Sequence, residues 1–237
     1  ARPVPVHVCG VREMNGGLFE MLGLAADRAE AGDAFAAYMM AMFGIDREQR
    51  EPGTAAGRRR YRSSYLRLIK GWGYDSNGPE GAVLKGWVES RFGIFPTFHR
   101  QRLVRQAPAA WATYVAEKMS SRFHNNAIMA QLDLLYEFCQ WALVRFACPT
   151  ETHLTLHRGV NDFDEHPIRQ RIDRRRVVMR LNSLSSFTAE RDIADCFGDV
   201  ILTARVPREK ILFFNTLMSS HPLKGDRKST RLNSSHT

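Results

Sequence analysis

The 237 residues are 44% hydrophobic and 25% charged, enough apolar material for one globular unit or two small ones without a metal or disulfide to hold them. No run of about 18 apolar residues occurs, and the start Ala1-Arg2-Pro3-Val4-Pro5 lacks the charged and apolar regions of a secretory signal, so the expectation is a cytoplasmic protein with no membrane span. The formal charge of +9 attracts nucleic acid, acidic protein surfaces and polyphosphate ligands alike, and narrows the partner class without choosing within it.

The first two thirds read as helical. Leu18 to Leu24, Ala34 to Phe43 and Tyr61 to Trp72 carry apolar residues three and four apart, separated by Gly and Pro at Glu51-Pro52-Gly53 and Ser76-Asn77-Gly78-Pro79. Pro79 suits a first helical position and Gly93 the position past an end, bracketing a helix that contains Ala82, Leu84, Trp87 and Phe92. The best helix is Ala127 to Phe146, with Ile128, Leu132, Leu135, Cys139, Leu143 and Phe146 on one face and Asp133, Glu137 and Gln140 on another; Cys148-Pro149 ends it. Asn at its start, in His124-Asn125-Asn126, reads as a cap.

Beyond Pro149 the period changes to two. Thr152 to Arg158, Val177 to Asn182, Val200 to Val206 and Ile211 to Leu217 are predicted strands, and Ile211-Leu212-Phe213-Phe214 is continuous enough for burial on both faces. A short helix interrupts them, with Thr188 as its cap, Glu190 in its first turn and Gly198 at its end. The fold class is therefore α+β: a helical region over 1–149 packed on a β-rich core over 150–225. The four cysteines, Cys9, Cys139, Cys148 and Cys196, form no CxxC pair, so neither a zinc site nor a disulfide framework is expected.

Residues 226–237 open Asp-Arg-Lys-Ser-Thr-Arg-Leu-Asn-Ser-Ser-His, the codon-by-codon translation of a common short-read sequencing adapter. This stretch is expected to be non-native and to lie outside the fold, and with the absence of Met at position 1 it suggests a fragment. Without it the chain loses three basic residues (Arg227, Lys228, Arg231) and one acid (Asp226), which lowers +9 by two to +7.

Two clusters carry chemistry. In Thr152-His153-Leu154-Thr155-Leu156-His157-Arg158-Gly159, parity puts Arg158 on the face of Leu154 and Leu156, so a guanidinium sits on the apolar side of a strand end. It needs an anion there, a carboxylate or phosphate matched to its planar fork; the bland alternatives are snorkelling to solvent or pairing with Asp162 or Asp164. Gly159 lets a backbone approach a ligand closely or turn. The second cluster, Asn182-Ser183-Leu184-Ser185-Ser186-Phe187-Thr188, lies at a strand-to-helix junction, where hydroxyls can cap, fix a loop, or bond a ribose and an acid.

The order His157-Arg158-Gly159, Ser183 to Thr188, then Ala194-Asp195-Cys196-Phe197 resembles the arginine, serine, glutamate class of mono-ADP-ribosyltransferases. Val11-Arg12-Glu13-Met14-Asn15, Asp75 to Gly78, Glu80 to Phe92 and Leu181 to Leu217 resemble, more closely, the dinitrogenase reductase branch of that class, over roughly residues 4–225. The resemblance implies a core of small packed β-sheets that uses NAD as substrate, no metal, and transfer of ADP-ribose to an arginine of the nitrogenase iron protein, which switches off nitrogen fixation. Its implied partners are the iron protein homodimer and a PII-type signalling protein. Within the class, Arg158 grips the NAD pyrophosphate and a serine supports the nicotinamide-side ribose and orients a glutamate. The register gives that role to Ser186, with Ser183 and Ser185 as alternatives, so the implied catalytic residues are Arg158 and Ser186 and the NAD-binding set is Arg158, Gly159, Ser183, Ser185, Ser186 and Phe197. The Glu-x-Glu pair of the class is expected just past His221-Pro222-Leu223-Lys224-Gly225, where the adapter-like stretch begins; Glu190 and Glu209 read as a first-turn acid and a turn residue, no catalytic glutamate is assigned, and the polypeptide as written is expected to be inactive. Lys85 and Arg91 are candidates for contact with target or NAD.

Two other readings compete. A non-catalytic nucleic-acid module draws on the positive charge and Arg174-Arg175-Arg176, but lacks a binding motif or a stacking platform; Arg58-Arg59-Arg60 is too short for a low-complexity tract. His153-Leu154-Thr155 is one HxT triplet of the kind phosphoesterases use in pairs, and no second one is present.

Overall fold

The computed structural model describes residues 4–45, 62–161 and 167–218, and the backbone of 231–234. Arg58 to Arg60, Asp162, Asp164 and His221 to Gly225 lie outside the described residues. The chain begins with α1 (Val11–Met14), α2 (Gly16–Leu24) and α3 (Arg28–Phe43). A reciprocal cap starts α3: Asp27 accepts from the Glu30 amide while the Glu30 carboxylate accepts from that of Ala26. Next come α4 (Tyr65–Tyr74), capped by the Ser64 hydroxyl, and α5 (Pro79–Phe92), which starts on its proline and stops at Gly93 in the left-handed region, as the punctuation predicts. A small hairpin, β1 (Phe98–His99) and β2 (Gln101–Arg102), and the helix α6 (Pro108–Lys118) follow, neither of them predicted from the sequence: two-residue strands are too short to set a period, and the alanine-rich α6 is apolar around most of its turn, with Ala110 and Tyr114 buried.

The centre of the molecule is α7 (Ile128–Ala142), which unwinds through a π-helical turn over Leu143–Ala147 before Pro149. The sequence predicts a two-faced helix, but Asp133, Glu137 and Gln140 are buried along with its leucines. Each is buried because it is satisfied. Glu137 accepts from the Val8 amide at 2.6 Å, from Arg12 Nε at 2.5 Å and bonds His7 Nδ1 at 3.1 Å; Asp133 is held by the Arg91 fork and the Trp87 indole. Asn126 is no cap. It stands at φ 53, followed by Ala127 at φ 50, and its side-chain amide donates to the carbonyls of Phe43 and Ser63, contacts that hold an otherwise unfavourable backbone in place.

The β part comprises β3 (His153–Val160), β4 (Ile168–Arg171), β5 (Val177–Met179), β6 (Ser185–Thr188), the short helix α8 (Arg191–Asp195), β7 (Val200–Pro207), a 3-10 turn over Arg208–Lys210, β8 (Ile211–Phe214) and β9 (Arg231–Ser234). β4 and β5 form a separate hairpin, and the remaining strands make one antiparallel sheet in the order β7-β3-β6-β9-β8. All four residues of β8 are buried, as its continuous apolar run predicts, and one apolar cluster runs from Leu18 on α2 through α7 to Met218. The serine cluster is a strand at the middle of the sheet rather than a junction, and Thr188 is not the cap of α8: its hydroxyl accepts from the Glu190 amide in the turn before it, while Glu190 itself precedes the helix.

Residues 231–234, expected outside the fold, lie as β9 between β6 and β8, with Asn233 opposite Ser186. Two facing strand edges with unpaired amides and carbonyls accept any extended segment, since the ladder is a backbone interaction.

Candidate active site

Arg158 lies near the end of β3, opposite Leu202 of β7. Its Nη1 donates to the Ser186 carbonyl at 2.8 Å and the Ser186 hydroxyl at 3.0 Å, so the guanidinium crosses to β6 and is held half-buried. Two clefts meet there, and Arg158 lines both. The first, about 250 Å³, has His157, Ser186, Thr188, Ile193 and Phe197 on its walls and no acidic lining residue among those described. The second, about 470 Å³, is walled by Arg102, Arg169 and Arg180 with Asn77, Asn182 and Ser185, again without an acid.

The expected site residues separate on this geometry. Ser186 and Phe197, the latter 49% exposed, line the first cleft; Ser185 lines the second and donates to the Asn182 carbonyl. Ser183 is fully buried, its hydroxyl has no hydrogen-bond partner, and it lines neither cleft, which removes it from a direct ligand role. Gly159 makes its close approach inside the protein: a methyl there would stand 2.1 Å from the Ala194 carbonyl oxygen and 2.9 Å from the Gly198 amide nitrogen. Gly198 meets Val160 in the same way, at 2.3 Å from its nitrogen, so it acts as the contact that seats the α8 turn on β3 more than as a helix stop. This pair of glycines sets the position of Ala194 and Phe197 over the first cleft.

Sequence reasoning missed what builds the second cleft. Asn182 joins the helical region to the serine strand: its Oδ1 accepts from the amides of Thr97 and Ser183, and its Nδ2 donates to the Phe98 carbonyl. Beneath that hairpin Lys85, read from the sequence as a candidate for contact with target or NAD, is fully buried, donating to the Phe98 carbonyl at 3.0 Å and lying 3.3 Å from His99 Nδ1 and 3.5 Å from Asn77 Oδ1. Burial pushes the Lys85 ammonium down to about 8 against the opposing pull of Asp75 and Glu117. Burial likewise lowers the His99 value, although Nε2 bonds Glu117 at 2.8 Å. Neutral His99 then donates from Nε2 to Glu117 and accepts from Lys85 at Nδ1. Arg91, the other candidate, is committed to Asp133. The signal for Lys85 was present in principle, since it falls on the helix stripe three residues from Ala82 and Val88, but a lysine is by default a surface residue.

Among the described residues no helix is long and apolar enough to cross a membrane, and no group of three His, Cys, Asp or Glu could hold a metal.

A family model described as dinitrogenase reductase ADP-ribosyltransferase matches residues 1–232, a span that runs seven residues into the adapter-like stretch. The chain is 63% identical over 223 residues to the NAD(+)--dinitrogen-reductase ADP-D-ribosyltransferase of Rhodospirillum rubrum, covering 93% of this chain and 81% of that one. No solved structure matches. A family match over nearly the whole chain and identity at that level support neither the nucleic-acid nor the phosphoesterase alternative: the chain belongs to the dinitrogenase reductase ADP-ribosyltransferase family.

Proposed function

We propose that this chain is an NAD-dependent ADP-ribosyltransferase whose acceptor is an arginine of the nitrogenase iron protein, working in the cytoplasm with the iron protein homodimer as target and a PII-type protein as regulator. The observation that carries the site assignment is the Arg158–Ser186 bond at the boundary of two clefts. A dinucleotide has two nucleoside halves joined by a diphosphate, and a fixed guanidinium between two hollows supplies a cation where that diphosphate must lie. Because Nη1 is held by Ser186, the cation is positioned before the substrate arrives, which removes part of the ordering cost.

The Ser186 hydroxyl accepts from Arg158, so its own proton is left to donate to a ribose hydroxyl or a carboxylate in the first cleft. Phe197 and Ile193 offer that cleft apolar surface for a pyridine ring. In the reaction the bond from the ribose anomeric carbon to the nicotinamide nitrogen breaks with the electron pair leaving on nicotinamide. The acceptor arginine nitrogen forms the new bond to that carbon and loses a proton. Positive charge developing on the sugar calls for a carboxylate. The sequence contains no Glu-x-Glu, the described lining of the first cleft contains no acid, and the strand facing Ser186 reads Arg-Leu-Asn-Ser, so binding without turnover is the expected behaviour of this polypeptide.

Calorimetry of NAD with the 237-residue chain and its Arg158→Ala variant separates these statements. Loss of a charge-assisted contact worth about 1.5–3 kcal/mol predicts roughly tenfold or greater weakening. Unchanged affinity removes Arg158 from the site, and labelled ADP-ribose appearing on iron protein with the unaltered chain refutes the missing-carboxylate reading.

A further inference from the structure

Arg174-Arg175-Arg176, which lines neither cleft, lies on the hairpin of β4 and β5, a sheet of its own beside the five-stranded one. The Arg180 amide bonds the Pro167 carbonyl at its base. Residues 167–180 carry six arginines, Arg169, Arg171, Arg174, Arg175, Arg176 and Arg180, with one acid, no lysine and no aromatic residue. The acid is spent inside the turn: Asp173 accepts from the amides of Arg175 and Arg176 and from Arg176 Nε at 2.6 Å. All six arginines are exposed, and among the described residues the other five form no ion pair.

Two of them join this ribbon to the active site. Arg169 and Arg180 line the second cleft together with Arg158 and Arg102, and the turn at Asp173 lies roughly 13 Å beyond Arg169 at the rise of a strand. The cationic wall of the cleft therefore continues along an exposed ribbon. Like charges crowded on a short hairpin repel one another, so the arrangement favours an occupant of opposite sign. An acceptor arginine meets the same field: its guanidinium is repelled by a cleft whose described lining holds four arginines and no acid. Carboxylates around that arginine, on the acceptor's own surface, reverse the sign. They need partners, and planar guanidinium forks match them bidentately. Ile172 and Val178, 54% and 45% exposed, add apolar surface among the charges, a mixture suited to a protein interface. Nucleic acid fits less well, because the ribbon has no aromatic side chain on which a base could stack.

We propose that the β4–β5 hairpin is the docking element for the acceptor protein: its arginines pair with a patch of carboxylates flanking the target arginine and so guide that arginine to the clefts at Arg158. This rests on the reading that the acceptor is a protein arginine. Arg171, Arg174 and Arg175 line neither cleft, so they meet the acceptor and not NAD.

The test is surface plasmon resonance of the 237-residue chain on immobilised nitrogenase iron protein, beside a triple variant carrying Arg171→Gln, Arg174→Gln and Arg175→Gln, with the NAD affinity of both chains read by calorimetry. Removing three exposed charges is expected to weaken iron protein binding roughly tenfold or more in dilute salt, mainly through the association rate, with the gap closing at about 0.5 M salt and NAD affinity unchanged. All three side chains are exposed, so the variant is expected to keep the fold, which circular dichroism checks. Equal affinity of parent and variant for iron protein overturns the proposal, as does parent binding that is indifferent to salt. A parent that binds a DNA or RNA oligonucleotide more tightly than iron protein, and loses that binding in the triple variant, overturns it in favour of nucleic acid. A parent that takes NAD but not iron protein overturns the docking surface and leaves the NAD site standing; one that holds iron protein through the hairpin and takes no NAD does the reverse.

Discussion

Replacing Gly159 with Ala tests whether backbone contact, and not a ligand, is what this position needs. The added methyl would lie 2.1 Å from the Ala194 carbonyl oxygen, 2.9 Å from the Gly198 nitrogen and 2.9 Å from the Phe197 carbonyl carbon. All three are main-chain atoms on one rigid turn, so no side chain can rotate away and α8 has to lift from β3. Overpacking a well-filled interior costs typically about 1–3 kcal/mol, and contact at this distance with backbone falls at or above the upper end. With a urea slope of about 2 kcal/mol per molar, a loss of ~3 kcal/mol moves the midpoint down by roughly 1.5 M. Urea unfolding followed by tryptophan fluorescence reads this directly, and NAD affinity is expected to fall with it because Phe197 moves with the turn. Gly198→Ala, meeting Val160 at 2.3 Å, is expected to behave alike, and the double variant to cost less than the two losses added, since one displaced turn relieves both. Midpoints within 0.3 M of the parent for both single variants would refute the reasoning.

Glu137→Leu removes the carboxylate that anchors the N-terminal segment and leaves the Val8 amide unpaired, while the part-exposed Arg12 turns to water; losing these bonds costs about 1–3 kcal/mol, and hydrogen exchange is expected to lose protection at Val8. An unchanged Val8 amide would show that the segment is held elsewhere. Lys85 carries a pH signature. Its value is about 8 in the folded state and near 10.5 otherwise, so between those values the unfolded chain binds the extra proton and stability from this group rises with pH. The gain is about 2–3 kcal/mol by pH 10, on the order set by 1.36 kcal/mol per unit, and it disappears in Lys85→Met; parallel stability curves from pH 7.5 to 10 for parent and variant would contradict it. Below pH 8 the charged ammonium persists with its burial cost.

How much was legible in the sequence follows from where the forces act. Pro79 and Gly93 bound α5 correctly because their effect is on their own φ angles, and the four apolar residues of β8 announced double burial because a run without polar residues has no solvent face. The parity argument at Arg158 likewise needed only the alternation of a strand, and the arginine does turn from the apolar side into a partnered position. Polar residues on α7 misled the reading: Asp133, Glu137 and Gln140 look like a wet face until partners from residues 7–12, 87–91 and 208–211 arrive through space.

The sequence by itself determined which segments are helix or strand where local stereochemistry and hydrophobic period act, and it placed Arg158 near the end of a strand. Tertiary structure alone decided which serine Arg158 touches, that Gly159 serves an internal contact, that Asn182 ties the β1–β2 hairpin to the serine strand, and that Arg169 and Arg180 share a cleft wall with Arg158. The reason is range: a dihedral preference is spent within one residue, whereas a hydrogen bond across 28 positions from Arg158 to Ser186, or 85 from Thr97 to Asn182, exists only once the sheet and helices have packed.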